Sequence, residues 1–82
     1  MNIVLQGAFK TRQEFFDLLG AAAWGIERPA PTNLDGMVDL IRETGLEKIT
    51  VRGAWHILDE DTERIEEVCD DLGVDLRFGH PA

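Results

Sequence analysis

Two carboxylates four residues apart, Asp35 and Asp39, interrupt the apolar stretch TNLDGMVDLI (residues 32–41), with no basic residue between them. On a helix, residues at that spacing are neighbours and like charges there repel, so the pair needs a reason. Counting about 100° per residue from Leu34, Met37, Val38 and Ile41 fall within roughly 60° of it, with Asp35 near 100° and Asp39 near 140°. That places both acids beside the apolar face. Asp35 has a local explanation as the N3 acid of a helix capped by Thr32, where the dipole and free amides stabilise negative charge by ~0.3–1 kcal/mol. Asp39 is too deep in the helix for that, and its available internal partner is Arg42, three residues on. The remaining explanation is a helix that offers carboxylates to cations outside the chain.

The rest of the chemical inventory is sparse. Serine is absent, and the sequence has no glycine-rich phosphate loop, no paired-cysteine motif and no HExxH pattern. His56 and His80 are 24 residues apart and read as surface or half-buried histidines. Asp35 with Asp39 would make a weak divalent-cation site, because further oxygen ligands are missing. Trp24 and Trp55 suit core or edge packing better than base stacking. The single cysteine, Cys69, excludes an intramolecular disulfide and reads as a small buried hydrophobe. No catalytic residue, metal or cofactor is therefore expected. A carboxylate or metal-assisted hydrolase built on Asp35, Asp39 and His56 is the weakest of the functional readings.

Charge narrows the partners. The 16 acidic and 8 basic residues leave a net charge of −8. Between Asp59 and Asp75 there are nine acids against Arg64 alone, which accounts for the whole excess. Such a field disfavours nucleic acid and favours basic protein partners, unless it serves only as a solubilising face. With 82 residues and 44% hydrophobic content, the chain reads as one globular domain spanning residues 1–82. Its apolar runs are too short to cross a bilayer. Met1-Asn2-Ile3-Val4-Leu5 does not resemble a signal peptide, and a cytoplasmic location is expected.

The elements that must carry these residues follow from pattern. Ile3-Val4-Leu5 is a short continuous apolar run, as in a strand buried on both faces. Thr11 to Glu14 reads as a capping box, followed by a broad apolar helical face from Phe15, Phe16, Leu18, Leu19, Ala22 and Ala23. Pro29 and Pro31 keep residues 25–31 out of helix. Thr32 or Asn33 caps a second helix, whose inner face is Leu34, Met37, Val38 and Ile41 and which Gly45 closes. Lys48 to Arg52 alternates as a strand. Residues 53–58 are ambiguous, with a helical turn near 54–58 as one option and Trp55, Ile57 and Leu58 folding back onto the core. A third helix begins near Asp59 or Asp61, with Ile65, Val68, Cys69 and Leu72 inside. Gly73 ends it, and Val74 to Phe78 forms a last strand. Strands separated by helices predict an α/β fold: a three-stranded parallel sheet packed with three to four helices.

Asn33-Leu34-Asp35-Gly36-Met37-Val38-Asp39-Leu40-Ile41 resembles the N-L-D-A-L-x-D-x-L helix of the barstar family, the intracellular inhibitors of barnase-like ribonucleases. The order of the other elements is also similar, including the proline-containing loop before Asn33 and the Gly73-Val74-Asp75-Leu76 entry to the terminal strand. The resemblance implies a barstar-like layer fold and a non-enzymatic inhibitor that plugs a basic ribonuclease or ribonuclease-like toxin with its second helix and preceding loop. It implies that Asp35 and Asp39 meet the enzyme's phosphate-binding cations, that Asn33 positions the helix, and that Val38 stands where relatives carry an aromatic. A further acid from the last helix would come from Glu66, Glu67 or Asp70. The family's tyrosine and glycine before the motif are replaced by Pro29-Ala30-Pro31-Thr32. An acidic interaction module of the same fold, without inhibitory activity, is the alternative.

Overall fold

Ile3 and Leu5, Ile49 and Val51, and Leu76 and Phe78 sit at alternate positions of three sequence segments, and alternate residues of a strand share a face. In the computed structural model, which describes residues 1–79, they come together across one parallel sheet of order β1-β2-β3. The strands are β1 (Asn2–Phe9), β2 (Lys48–Trp55) and β3 (Asp75–Gly79). Ile3 lies opposite Ile49 and Ile49 opposite Leu76; Leu5 lies opposite Val51 and Val51 opposite Phe78. The helices are α1 (Arg12–Ala23), α2 (Leu34–Thr44) and α3 (Asp59–Asp71). The α/β class, the parallel sheet and the three helices are as the sequence predicts.

The core forms between this sheet face and the helices. Phe15, Phe16 and Leu19 of α1, Met37, Leu40 and Ile41 of α2, and Ile65 and Cys69 of α3 are buried against Ile49, Val51 and Phe9. The other sheet face is open. Val4, expected inside a doubly covered strand, is 56% exposed. Its cross-strand partner Thr50 is half-buried, and Arg77 beyond it is exposed. A run of three apolar residues does not distinguish one covered face from two, and here only Ile3 and Leu5 are covered.

β2 also runs further than its alternating segment, through Gly53 to Trp55, and residues 54–58 contain no helical turn. Gly53 makes the extension possible. Its φ is +113°, and a Cβ there would run into the carbonyl oxygen of Gly7, its partner on β1. Trp55 is then held by an edge-on contact with Phe78 at 4.9 Å between ring centres and by an Nε1–H bond to Thr62 Oγ1 of 2.9 Å. The His56 N–H donates to the Phe9 carbonyl at 2.7 Å. Ile57 turns into the core as expected, whereas Leu58 remains 71% exposed.

The helix starts follow the sequence with one shift. Thr11 Oγ1 accepts the Glu14 N–H at 3.2 Å, but the Glu14 carboxylate accepts from the Lys10 N–H at 3.3 Å, one residue before the usual return contact. α3 begins without a side-chain cap. Asp59, Glu60 and Asp61 in its first turn instead face the positive end of the dipole. No helix among the described residues is long and apolar enough to cross a membrane.

Candidate functional site

α2 is capped by Asn33, whose Oδ1 accepts the Gly36 N–H at 2.7 Å. Thr32 is outside the cap, so Asp35 occupies the second helical position rather than the third. At the other end Gly45 takes a left-handed conformation, φ +66°, and its N–H returns to the Ile41 carbonyl. The residues α2 buries are Met37, Leu40 and Ile41, with Leu34 and Val38 half-buried on the rim. Leu40, fully buried, was outside the inner face expected from sequence. Including it turns the buried stripe away from the acids, so Asp35 and Asp39 lie within about 30° of directly opposite. They sit on the outward crest of α2, not beside its apolar face.

Both carboxylates are exposed, and neither takes part in an ion pair among the described residues. Arg42, the expected partner of Asp39, makes no such contact with it. Two like charges one turn apart therefore project into solvent with no ion-pair partner among the described residues.

The loop that delivers α2 is braced by residues that sequence pattern did not single out. The Gln13 side chain on α1 donates to the Pro31 carbonyl at 3.0 Å and to Asp17 at 2.9 Å. Gly20 lets α1 approach the loop closely: a Cβ there would lie 2.8 Å from the Ala30 Cβ and 2.9 Å from the Ala30 Cα. Pro31 is buried between α1 and the first turn of α2, where a Cβ on Gly36 would come within 3.2 Å of its ring. Arg28 grips Glu43 in the last turn of α2 with two bonds of 3.1 and 2.9 Å, and its guanidinium lies 3.7 Å over the Trp24 ring. The Trp24 indole N–H below is buried without a partner among the described residues. Prolines at 29 and 31 announce a stiff loop. Nothing periodic announces Gln13, Gly20 or Arg28, because their partners are 18, 10 and 15 residues away.

The structure places Asp35, Val38 and Asp39 on α2 with Asn33 as its cap, and the α3 acids at another feature. Glu66, Glu67 and Asp70, with Glu63, line a groove between α3 and β3, and no α2 residue contributes to it. Cys69 borders the same groove. Burial, reinforced by the nearby Glu66 charge, pushes its thiol up to about 11, so it is protonated and unreactive near neutral pH. His56 is exposed just beyond the end of β2, and His80 lies outside the described residues. No group of three or more potential metal ligands occurs among the described residues. What α2 can do chemically is accept charge-assisted hydrogen bonds from Arg, Lys or His of a partner. Compared with models of known protein families, with curated proteins and with solved structures, the chain has no significant match.

Proposed function

We propose that this chain is a barstar-like inhibitor that occupies the cationic active-site cleft of a basic ribonuclease or ribonuclease-like toxin. The observation that carries the reading is the outward pair Asp35 and Asp39, exposed and in no ion pair among the described residues, on a helix whose opposite side is locked into the core. Left in water, the pair costs the helix a few tenths of a kcal/mol in repulsion. In a cleft lined with Arg, Lys and His groups that grip RNA phosphates, the same carboxylates replace those phosphates and the repulsion is offset. Asn33 fixes the first turn, and the loop braced by Gln13, Gly20 and Arg28 reduces the ordering cost on binding. The half-buried Leu34 and Val38 lie along one side of the acidic crest and would supply apolar contact at that edge of the interface. The net charge of −8 adds attraction at a distance, which speeds encounter with a basic partner and weakens with salt.

The test is inhibition of a small basic ribonuclease from the same cell, measured at low and high salt with the intact chain. Stoichiometric inhibition that is lost in Asp35→Ala/Asp39→Ala supports the reading. Capture of a basic protein that is not a nuclease, again dependent on these two acids, would favour the interaction-module alternative. That alternative is motivated by Val38, which stands where members of the barstar family carry an aromatic anchor.

A further inference from the structure

β3 pairs with β2 and with no other strand among the described residues. The Asp75 N–H donates to the Glu47 carbonyl on the β2 side at 2.8 Å, and the backbone groups of successive strand residues alternate between the two edges. The N–H and C=O groups of Leu76 and Phe78 therefore point away from β2, along an edge that no other strand among the described residues covers. Beside this edge runs the α3–β3 groove, a concavity of about 710 Å³ with Cys69, Val74, Leu76 and Phe78 as its apolar floor. Its α3 wall carries Glu63, Glu66, Glu67 and Asp70, spaced so that all four share one helical face. None of these four is in an ion pair among the described residues. Seven helical residues rise ~10 Å, the length of about three residues of strand.

Acids alone would make a solvated helix face. The strand edge and apolar floor beside them select an extended chain. We propose that the groove receives an extended peptide segment with Lys or Arg at every second position, which adds to β3 as a fourth strand. Backbone bonds to Leu76 and Phe78 hold the segment in register. Its cationic side chains lay their aliphatic stems over Val74, Leu76 and Phe78 and bring their charged ends to the α3 carboxylates. This surface is separate from α2 and does not rest on the inhibitor reading.

The probe is the peptide Lys-Val-Lys-Val-Lys-Val, titrated into the isotope-labelled chain and followed by backbone amide shifts. Two further versions carry N-methyl groups on alternate amides, one for each edge of the added strand. The expected result is shifts centred on Leu76 and Phe78. Methylation of one edge should weaken binding about tenfold or more, whereas methylation of the other is tolerated. Glu66→Gln/Asp70→Gln should also weaken it, with Asp35→Asn/Asp39→Asn unchanged. Equal binding of both methylated peptides, shifts centred on α2, or no saturable binding at millimolar peptide overturns the proposal.

Discussion

Replacing Gly20 by alanine should destabilise the protein, although alanine is the better helix former. In an exposed helix the change would gain about 0.8–1 kcal/mol. Here the new methyl would lie 2.8 Å from the Ala30 Cβ, 2.9 Å from the Ala30 Cα and 3.2 Å from the Pro31 Cδ, well inside the ~3.5–4.0 Å at which carbon atoms attract. One of these neighbours is backbone and another belongs to a proline ring, so relief requires the loop to move away from α1. Overpacking of this kind costs about 1–3 kcal/mol. Loop movement also endangers the bond from Gln13 to the Pro31 carbonyl, worth ~1 kcal/mol. The balance is a net loss of about 1–2 kcal/mol, a fall in Tm of roughly 5–15 °C for a domain of this size. Urea unfolding of Gly20→Ala, Ala30→Gly and the double variant measures it. Ala30→Gly removes the 2.8 Å contact but leaves the Cα in place, so the double variant should recover part of the loss. A Gly20→Ala protein as stable as the parent would refute the close approach of α1 to the loop, and with it the bracing of α2.

Other consequences are measurable on the same scale. Arg28→Ala should cost about 1 kcal/mol, combining a half-exposed two-bond pair with Glu43 and the stacking on Trp24. Arg28→Lys should not restore it, since an ammonium cannot make the forked contact; thermal melts of the two variants decide this. Cys69 has its folded pKa raised above the ordinary value of 9.0 to about 11. The folded state thus holds a proton that the unfolded chain releases, and stability is complete below pH 9 and declines between pH 9 and 11. The decline from this group is on the order of 2–3 kcal/mol. Urea midpoints across that range should show it flattened in Cys69→Ala relative to the parent, whatever the variant's absolute stability.

How much of this was readable beforehand depends on whether the deciding contact is local. Thr11, Asn33 and Gly45 act within a few residues of themselves, and the helix ends they mark lie where the sequence suggests. The parallel direction of the strands follows from helices separating every pair of them, whereas their order β1-β2-β3 is set by how the segments pack and is not written in the pattern. Leu40 escapes the pattern because Leu34, the first apolar residue of the helix, is a rim residue; an inner face centred on it excludes Leu40 and puts the acids on the flank instead of the crest. The β2 extension was hidden because Gly53-Ala54 breaks alternation, and the reason glycine is needed there, the Gly7 carbonyl, lies on another strand. Arg28 with Glu43 and Gln13 with Pro31 are likewise meetings between distant segments. For the candidate site, the residue types and their spacing were legible. Their exposure, the absence of an ion-pair partner among the described residues and the separation of the α3 acids into a different groove depend on how distant segments pack, which spacing does not record.

The most direct test of the central claim compares Asp39→Ala with the parent chain as inhibitors of a basic ribonuclease from the same cell, alongside their urea stabilities. Asp39 is exposed and outside every ion pair found among the described residues. Its removal should therefore leave folding unchanged or raise stability by a few tenths of a kcal/mol through lost repulsion. Inhibition should weaken by about 2–5 kcal/mol, ~30-fold or more, because a desolvated cation in the enzyme loses its partner. A fall in stability with inhibition altered less than about fivefold would show that the carboxylate serves the fold and not a cationic cleft.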